Sequence, residues 1–310
     1  MACFDKYGVS FSEDFSALLK CAPSFQGEYV VPDSVKVIAD CAFKGCWGLC
    51  DIRLPDTVQC IGKSAFEDSG LTSIRIPSQI REINERTFYR CPLRKVVLPS
   101  YLERIGDRAF WGCSQLLGIF IPESVTSIGA YAFRNCAQLR GIHLPIGLLE
   151  IGEFAFDCCG LKEVEIPNKV EFIGACAFTR CDMKIYNNSN FFVYENSLIS
   201  KRGELIVCNS GASEIHLPDS IKVIGKDAFV YCGAEAVYLP KSIERIEKFA
   251  FTNSNIYELH MSKEDPNGVE LDHKAFIDKY DKIRLLVPTQ SINGYRNHPV
   301  FRRFSSIITE

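Results

Sequence analysis

The chain has 310 residues, of which 47% are hydrophobic and 24% are charged, a composition typical of a soluble globular protein. It excludes a disordered chain, and the net charge of −3 gives no reason to expect binding to nucleic acid or to an anionic membrane. The unusual features are 15 cysteines and 22 phenylalanines beside only 3 methionines.

The N-terminal segment and the cysteine count bear on the compartment. Residues 1–20 lack a basic start and an apolar centre, since Asp5, Glu13 and Asp14 interrupt them, so they do not predict a signal peptide. The longest strongly apolar stretch without a charge, 109–122, is too short to span a bilayer. An odd number of cysteines cannot close entirely into intrachain disulfides. The sequence as written predicts a cytoplasmic protein with reduced thiols, or a cell-surface or secreted protein if a signal peptide has been removed.

An internal repeat of 22 or 23 residues runs through most of the chain. Nine prolines mark the period, and each is followed by an isoleucine six residues later and a phenylalanine eleven residues later. These prolines are Pro32, Pro55, Pro77, Pro99, Pro122, Pro145, Pro167, Pro218 and Pro240. The phenylalanines are Phe43, Phe66, Phe88, Phe110, Phe133, Phe156, Phe178, Phe229 and Phe251, and a tenth, stretched unit ends at Phe276.

One unit reads L-x-x-I-x-L-P-x-x-V-x-x-I-G-x-x-A-F-x-x-C. Its first part alternates like a strand with one buried side, and the proline ends that strand. V-x-x-I predicts a second short extended piece or a turn, the glycine predicts a left-handed or tight backbone position, and A-F-x-x-C predicts one helical turn. A single unit cannot bury its own apolar residues, so stacked units must share one continuous core, as in a solenoid.

This consensus resembles the BspA-like leucine-rich repeats, which are found in many bacterial surface proteins. The tail from Val287 to Ile307 resembles the terminal cap of that family, segment 188–211 resembles its inserted β-hairpin, and residues 7–31 resemble a second copy of the hairpin. The resemblance implies a right-handed leucine-rich-repeat superhelix, with a parallel β-sheet on one face and short strands or helical turns on the other. Many members carry a secretion signal and act as adhesins that bind host or bacterial surface proteins.

We therefore predict a single solenoid domain over residues 1–310. Its predicted parts are an N-terminal hairpin cap over 1–31, regular repeats over 32–181, a β-hairpin insertion over 182–211, further repeats over 212–288 and a C-terminal cap over 289–310.

Seven cysteines share one repeat position, three residues after the phenylalanine. They are Cys46, Cys91, Cys113, Cys136, Cys159, Cys181 and Cys232. This column could form a redox ladder or a site for a soft metal, but we favour buried thiols that pack as small apolar groups with a weak hydrogen bond to the turn. Stacked units hold Cβ atoms ~4.8 Å apart, farther than the ~3.8 Å typical of a disulfide. The sequence also lacks a C-x-x-C pair, G-x-S-x-G, a Walker loop and H-E-x-x-H, so we predict no metal site, no cofactor and no enzyme.

The residue between Ile and Leu in I-x-L is the most informative about function, because alternation places it on the exposed face of the sheet. The candidate partner-binding residues at this position are Arg53, Arg75, Phe120, His143, Glu165, His216, Tyr238 and His260, with Val30 and Val97 in the same column. Neighbouring positions are basic in the first half and acidic later, namely Arg94, Lys95 and Arg140, then Glu163, Glu214, Glu235 and Glu258. A solvated sheet and a binding face explain this column equally well.

We predict a non-enzymatic binding module that recognises a protein, or less readily a glycan, through this face, with no nucleic-acid partner and no membrane span. The alternative is a cell-surface adhesin-type structural protein whose export signal is absent from this sequence.

Overall fold

The computed structural model describes residues 2–181, 184–186, 190–194 and 197–310. Two compact units divide the chain, residues 1–184 and residues 185–310. In the described residues each unit consists mainly of short strands joined by turns. Part of the predicted insertion over 182–211 lies outside the described residues, namely 182–183, 187–189 and 195–196.

Most strands of the first unit are two or three residues long. In chain order they are β1 (Cys3–Phe4), β2 (Ser10–Phe11), β3 (Ala17–Lys20), β4 (Gln26–Val30), β5 (Val37–Ile38), β6 (Gly48–Arg53), β7 (Cys60–Ile61), β8 (Ser73–Arg75), β9 (Glu82–Ile83), β10 (Lys95–Val97), β11 (Arg104–Ile105), β12 (Gly118–Phe120), β13 (Ser127–Ile128), β14 (Gly141–His143), β15 (Glu150–Ile151), β16 (Glu163–Glu165) and β17 (Phe172–Ile173).

Strands continue in the same style along the rest of the chain. In order they are β18 (Lys184–Tyr186), β19 (Phe191–Tyr194), β20 (Ser197–Ser200), β21 (Glu204–Cys208), β22 (Glu214–His216), β23 (Val223–Ile224), β24 (Ala236–Leu239), β25 (Arg245–Ile246), β26 (Glu258–Met261), β27 (Glu270–Leu271), β28 (Arg284–Val287) and β29 (Ser306–Thr309). The helices are α1 (Ile292–Asn297) and three short 3₁₀ segments, Pro266–Gly268, Thr289–Ser291 and Phe301–Arg303.

Each regular repeat supplies one strand to each of two faces, with a turn at the proline between them. In the repeat that contains β6 and β7, the Val58 N–H donates to the Pro55 carbonyl at 3.1 Å and closes this turn. The I-x-L strands of the first unit pair in parallel as β4–β6, β8–β10 and β12–β14, and the shorter strands form a separate parallel sheet, β9-β11-β13-β15-β17. The predicted leucine-rich-repeat solenoid, with a parallel sheet on one face and short strands on the other, is confirmed.

The phenylalanine column forms the centre of the core in both units. All ten of its members are fully buried. Successive rings stack nearly parallel in the first unit, with Phe110 and Phe133 5.2 Å apart between centroids and Phe133 and Phe156 5.4 Å apart. In the second unit the Phe229–Phe251 distance is 4.8 Å. Stacking buries aromatic surface that no single repeat could enclose.

The A-F-x-x-C segment is not the predicted helical turn. The Ala109 N–H donates to the Gly106 carbonyl at 3.3 Å, a tight turn, but the next N–H, that of Phe110, donates to Ala132 of the following repeat at 2.8 Å. The residue before the alanine, Arg108, has φ 55°, in the left-handed region. Hydrogen bonds that close a turn within one repeat therefore alternate with hydrogen bonds to the next repeat. Because every second N–H bonds to the next repeat, the segment cannot form the continuous hydrogen bonds of a helix.

The glycine after the isoleucine is required for close approach and not for a left-handed backbone. A Cβ on Gly152 would lie 2.4 Å from the backbone nitrogen of Ala130 in the preceding repeat, and one on Gly174 would lie 2.4 Å from the nitrogen of Glu153. Neither glycine has a positive φ. The prediction of a left-handed backbone at these glycines is wrong, and the prediction of a tightly packed backbone position is correct.

Both units begin with an antiparallel hairpin that continues into parallel strands. In the first unit β2 pairs with β3 in antiparallel fashion and β3 is parallel to β5, and in the second unit β20, β21 and β23 repeat this order. Both hairpins are irregular at the same place, where Phe11 pairs with Leu18 and Ile199 pairs with Leu205. The hairpin covers the edge of the parallel sheet at which each unit begins.

The last segment of the second unit closes over its core. The sheet β22-β24-β26-β28-β29 ends with β29, which pairs in parallel with β28. Tyr295 of α1 and Phe301 are fully buried, and Phe304 meets Phe276 edge to face at 5.0 Å. These rings cover the last phenylalanine of the repeat column.

Candidate functional site

In the first unit, the predicted outward column is a continuous row of side chains on the I-x-L strands. The ladder places Arg53 beside Val30, Arg75 beside Val97, and Phe120 beside His143. Most inward neighbours of these residues, such as Ile119, are buried, and Ile142 is half-buried, whereas the column itself is exposed and 68% of Phe120 is accessible. The predicted residues Arg53, Arg75, Phe120, His143 and Glu165 are all exposed.

Two members of this row form ion pairs with acids from the proline turns. Arg75 Nη1 lies 3.4 Å from Asp56 Oδ1, and His143 Nε2 lies 3.3 Å from Glu123 Oε1. All four side chains are exposed, so these pairs contribute little to stability. Arg75 and His143 are therefore able to exchange partners.

Three further cations lie where β10 and β14 begin. Arg94, Lys95 and Arg140 are exposed, and within the described part of the chain none of them has an acidic partner within ion-pair distance. The face from β10 to β14 therefore combines free positive charge with an exposed aromatic ring.

The second unit presents a different arrangement at the same column. His216, Tyr238 and His260 lie side by side on β22, β24 and β26, and their rings stack with 3.9 Å between successive centroids. Stacking of this kind turns three separate side chains into one flat strip.

Carboxylates border this strip. Glu214 Oε2 lies 3.8 Å from His216 Nε2, and Glu258 Oε2 lies 3.5 Å from His260 Nε2. Burial, followed by the negative charges of the neighbouring glutamates, raises the pKa of Tyr238. The tyrosine therefore stays protonated and can donate a hydrogen bond.

The predicted exposure of His260 is wrong, because only 7% of the residue is accessible. Tyr238 covers one side of its ring, Leu286 is its neighbour in the ladder on the other side, and Glu310 Oε1 lies 2.9 Å from Nδ1. Tyr238 itself is half-covered by the two imidazoles. The repeat pattern could not reveal this burial, since Glu310 lies outside the repeats.

The cysteine column consists of buried free thiols. The seven cysteines of the column are all buried and none of them is in a disulfide. Most donate to the phenylalanine carbonyl of the preceding repeat, for example Cys91 to Phe66 at 2.9 Å and Cys181 to Phe156 at 3.0 Å. Burial raises the pKa of Cys91 to about 12, so the unreactive thiol form prevails. The interpretation of these residues as buried, hydrogen-bonded thiols is confirmed.

Two buried acids were not predicted from the sequence. Glu67 accepts two hydrogen bonds from Arg86, at 2.7 and 3.1 Å, and Asp157 pairs with Arg134 at 2.9 Å and with Arg180. Each acid directly follows a core phenylalanine. The neighbouring repeats have Lys44 and Tyr89 at the position of Glu67, and Arg134 and Thr179 at that of Asp157. The signal in the sequence is thus an acidic residue at a position that has no consensus residue type. These acids form ion pairs that link neighbouring repeats.

The described residues bear on two other functions, metal binding and membrane insertion. They contain no group of three or more His, Cys, Asp or Glu side chains that could hold a metal ion. No helix among them combines the length and apolar character needed to cross a membrane.

The profile of the BspA type leucine rich repeat region matches in six copies, over residues 23–91, 61–184 and 205–295. No curated protein sequence matches the chain.

Solved structures of bacterial proteins share the fold. A leucine rich cell surface protein from Faecalibacterium prausnitzii A2-165 is 20% identical with a TM-score of 0.72, covering 100% of this chain and 95% of its own. A leucine-rich repeat protein from Bacteroides ovatus ATCC 8483 is 23% identical with a TM-score of 0.57, covering 90% and 76%. The pneumococcal vaccine antigen PcpA is 16% identical with a TM-score of 0.55, covering 100% and 98%. At these identities the structures establish the fold alone, whereas the profile matches extend over most of the repeats. The chain therefore belongs to the family of proteins with BspA-type leucine-rich repeats.

Proposed function

We propose that this protein is a non-enzymatic binding module that recognises a protein partner through the exposed I-x-L face. The predicted contact residues are Arg53, Arg75, Phe120, His143, Glu165, His216 and Tyr238, with His260 as a support for the Tyr238 ring. A protein is favoured over a glycan because aromatic and arginine side chains are the commonest sources of binding energy at protein interfaces.

The observation that carries the proposal is the exposed Phe120, the most exposed aromatic ring in a row that otherwise holds arginine, histidine, glutamate and the smaller apolar Val30 and Val97. Its neighbours in the column, Val97 and His143, leave 68% of the residue in water, although the same strand buries Ile119. A large ring that does not serve the core gains free energy when a partner covers it.

Site-specific cross-linking tests this proposal. A photoreactive phenylalanine analogue at position 120 should capture a partner from lysate or surface extract of the source organism, whereas the same analogue at position 172 should not. Phe172 is an exposed phenylalanine on β17, in the sheet of short strands, and is therefore a matched control.

Paired substitutions then test the residues. Arg75→Glu with Phe120→Ala should abolish capture, and Arg104→Glu with Phe172→Ala should leave it intact, since Arg104 lies on β11 of the other sheet. If only the second pair abolishes capture, the binding surface is the sheet of short strands and the proposal is wrong.

The second candidate function is that of a cell-surface adhesin-type protein. It is favoured by the fold shared over 100% of this chain with a leucine rich cell surface protein. Protease treatment of intact cells of the source organism, followed by detection with an antibody against this chain, tests it. Loss of the protein from intact cells, while a cytoplasmic control protein survives, would support the surface role. Cleavage only after lysis would contradict it.

A further inference from the structure

Two glycines lie next to each other on the proposed binding face. Gly118 of β12 and Gly141 of β14 are partners in the parallel ladder, and both are exposed. A Cβ built on either glycine would meet no atom within 4 Å, and neither has a positive φ. The fold therefore tolerates any strand-forming side chain at both positions.

Other glycines of the repeat differ in this respect. A Cβ on Gly106 would lie 2.8 Å from the Ile83 carbonyl oxygen, and one on Gly152 would lie 2.4 Å from a backbone nitrogen. Packing between repeats explains these glycines, but it does not explain Gly118 and Gly141. Glycine weakens a strand, and an unexplained glycine in a strand often marks a place where another molecule approaches the backbone closely.

The two glycines leave a gap in the row of side chains on this face, which we call the glycine notch, and its floor is two strands wide, ~5 Å from strand to strand. Along the chain the notch is flanked by Leu117, which directly precedes Gly118 and is 61% accessible, and by Phe120, which is 68% accessible. Lys95 stands at the corresponding position of the preceding repeat and Glu163 at that of the following one. The notch therefore has the width of one apolar side chain.

The charge around the notch is mainly positive. Arg94, Lys95 and Arg140 are exposed on this face without an acidic partner among the described residues. The nearby Glu123 is engaged, since it accepts from the Ile146 N–H at 2.9 Å and pairs with His143. An incoming carboxylate would thus meet unpaired cations on the Lys95 side.

We infer that the glycine notch receives an apolar side chain from an extended, acidic peptide segment of the partner, with Arg94, Lys95 and Arg140 pairing with its carboxylates. The inference rests on the proposed function and names the chemistry of the partner. A notch flanked by an aliphatic and an aromatic side chain suits a hydrocarbon side chain better than a sugar, which needs polar groups around its ring. The free cations select the charge of the segment by complementarity.

Selection from random peptides tests the inference with the full chain. Displayed peptides of about ten residues, ~33 Å when extended, are selected on the protein, and the most enriched sequence is synthesised with a fluorescent label. We expect enriched peptides to carry a large apolar residue flanked by Asp or Glu. Fluorescence anisotropy then gives Kd for the protein and its variants, and a glycan array is screened in parallel.

The decisive variant is Gly118→Ala with Gly141→Ala, which fills the floor with two methyl groups. Its melting temperature should equal or exceed that of the unmodified protein, because nothing obstructs the methyl groups, while Kd should rise at least about tenfold. Ser73→Thr, which adds a methyl group at the same strand position of β8, should change neither property.

Three results would overturn the inference. The first is that the selection enriches basic or uncharged peptides, or none. The second is that the glycine variant binds the selected peptide with the same Kd as the unmodified protein. The third is that the protein binds a neutral glycan and the glycine variant does not. Cross-linking at position 120 distinguishes this failure from failure of the proposed function. If capture of the natural partner persists in the glycine variant, the face binds its partner elsewhere and only the notch is refuted.

Discussion

The thiol of each cysteine in the column forms a hydrogen bond inside the core. The Sγ of Cys113 lies 3.2 Å from the Phe88 carbonyl, and that of Cys136 lies 3.2 Å from the Phe110 carbonyl. Burial raises the pKa of both thiols well above the ordinary value, because a thiolate is poorly solvated there. Since the thiolate is the reactive form, these two thiols should be chemically inert while the protein is folded, and burial hinders access of a reagent to all seven.

Thiol labelling should therefore proceed in two phases. Exposed Cys50 should react rapidly with a thiol reagent, the seven column thiols should react only as the protein unfolds, and denatured protein should show all 15 thiols without reductant. Cys50→Ser should remove one equivalent from the rapid phase. Rapid labelling of the column, or fewer than 15 thiols, would contradict this assignment.

Glu67 is a charge held almost entirely out of water. Burial opposes its ionisation, but hydrogen bonds from Arg86, Ser64 and Lys44 outweigh that effect and lower its pKa. A carboxyl group whose pKa is lowered on folding stabilises the folded state above its unfolded pKa, ~4.3, and loses that contribution as the pH falls through its folded pKa.

Glu67→Gln should consequently destabilise the protein most at neutral pH. We expect a loss of about 1–3 kcal/mol in the free energy of unfolding at pH 7, since Gln keeps the shape but not the charge that Arg86 and Lys44 need. The loss should shrink as the pH falls below the unfolded pKa of ~4.3 and through the lower pKa that Glu67 has in the folded protein. Urea unfolding at several pH values measures it, with Glu85→Gln at a half-buried and more accessible carboxylate as the control, and a loss independent of pH would contradict the mechanism.

At the scale of the element, the repeat is defined by its turns rather than by helix. Non-glycine residues with positive φ recur before the alanine, such as Ser64, Arg108 and Tyr131. Each conformation is sparsely populated in isolation, and bonds between repeats hold it, such as that from the Tyr131 N–H to the Glu153 carbonyl at 2.7 Å. Strain in one repeat is thus offset by its neighbour.

Gly152→Ala tests how closely these elements approach. The new methyl group would meet the backbone of Gly129 and Ala130, which cannot rotate away, so the two repeats must separate. We expect a loss of about 1–3 kcal/mol in urea unfolding, against no loss for Gly118→Ala on the open face. Equal effects of the two substitutions would show that the spacing of the repeats is not limited by this contact.

At the scale of the whole molecule, each repeat contacts only its neighbours, so the cohesion of each unit depends on that unit's own stack of phenylalanine rings. Phe133 lies in the middle of the first unit between Phe110 and Phe156. Removing it leaves a cavity that both neighbouring repeats line.

Phe133→Ala should cost about 3–5 kcal/mol, whereas Phe120→Ala should change stability by less than about 0.5 kcal/mol because that ring is exposed. Amide hydrogen exchange should accelerate in the repeats on both sides of Phe133 as well as in its own. Chemical denaturation and exchange mass spectrometry measure the two effects. Acceleration confined to residues 122–144 would argue against coupling between neighbouring repeats.

The sequence alone determined the repeat, the core columns and the two faces. A solenoid makes this possible because every repeat meets the same surroundings, so nine occurrences of one pattern report the burial of each position. The row from Arg53 to His143 follows from strand alternation by the same reasoning, and its role in binding stays a prediction.

Only the tertiary structure decided the features that depend on contacts between repeats or beyond them. The left-handed turns replace the predicted helical turn because inter-repeat bonds compete with local ones. Glu310 buries His260 from outside the repeat pattern, and Arg86 reaches Glu67 from the next repeat. The notch at Gly118 and Gly141 exists because two glycines in different repeats become ladder neighbours and nothing covers them. Periodicity specifies what all repeats share, whereas side-chain contacts across repeats specify how individual repeats differ.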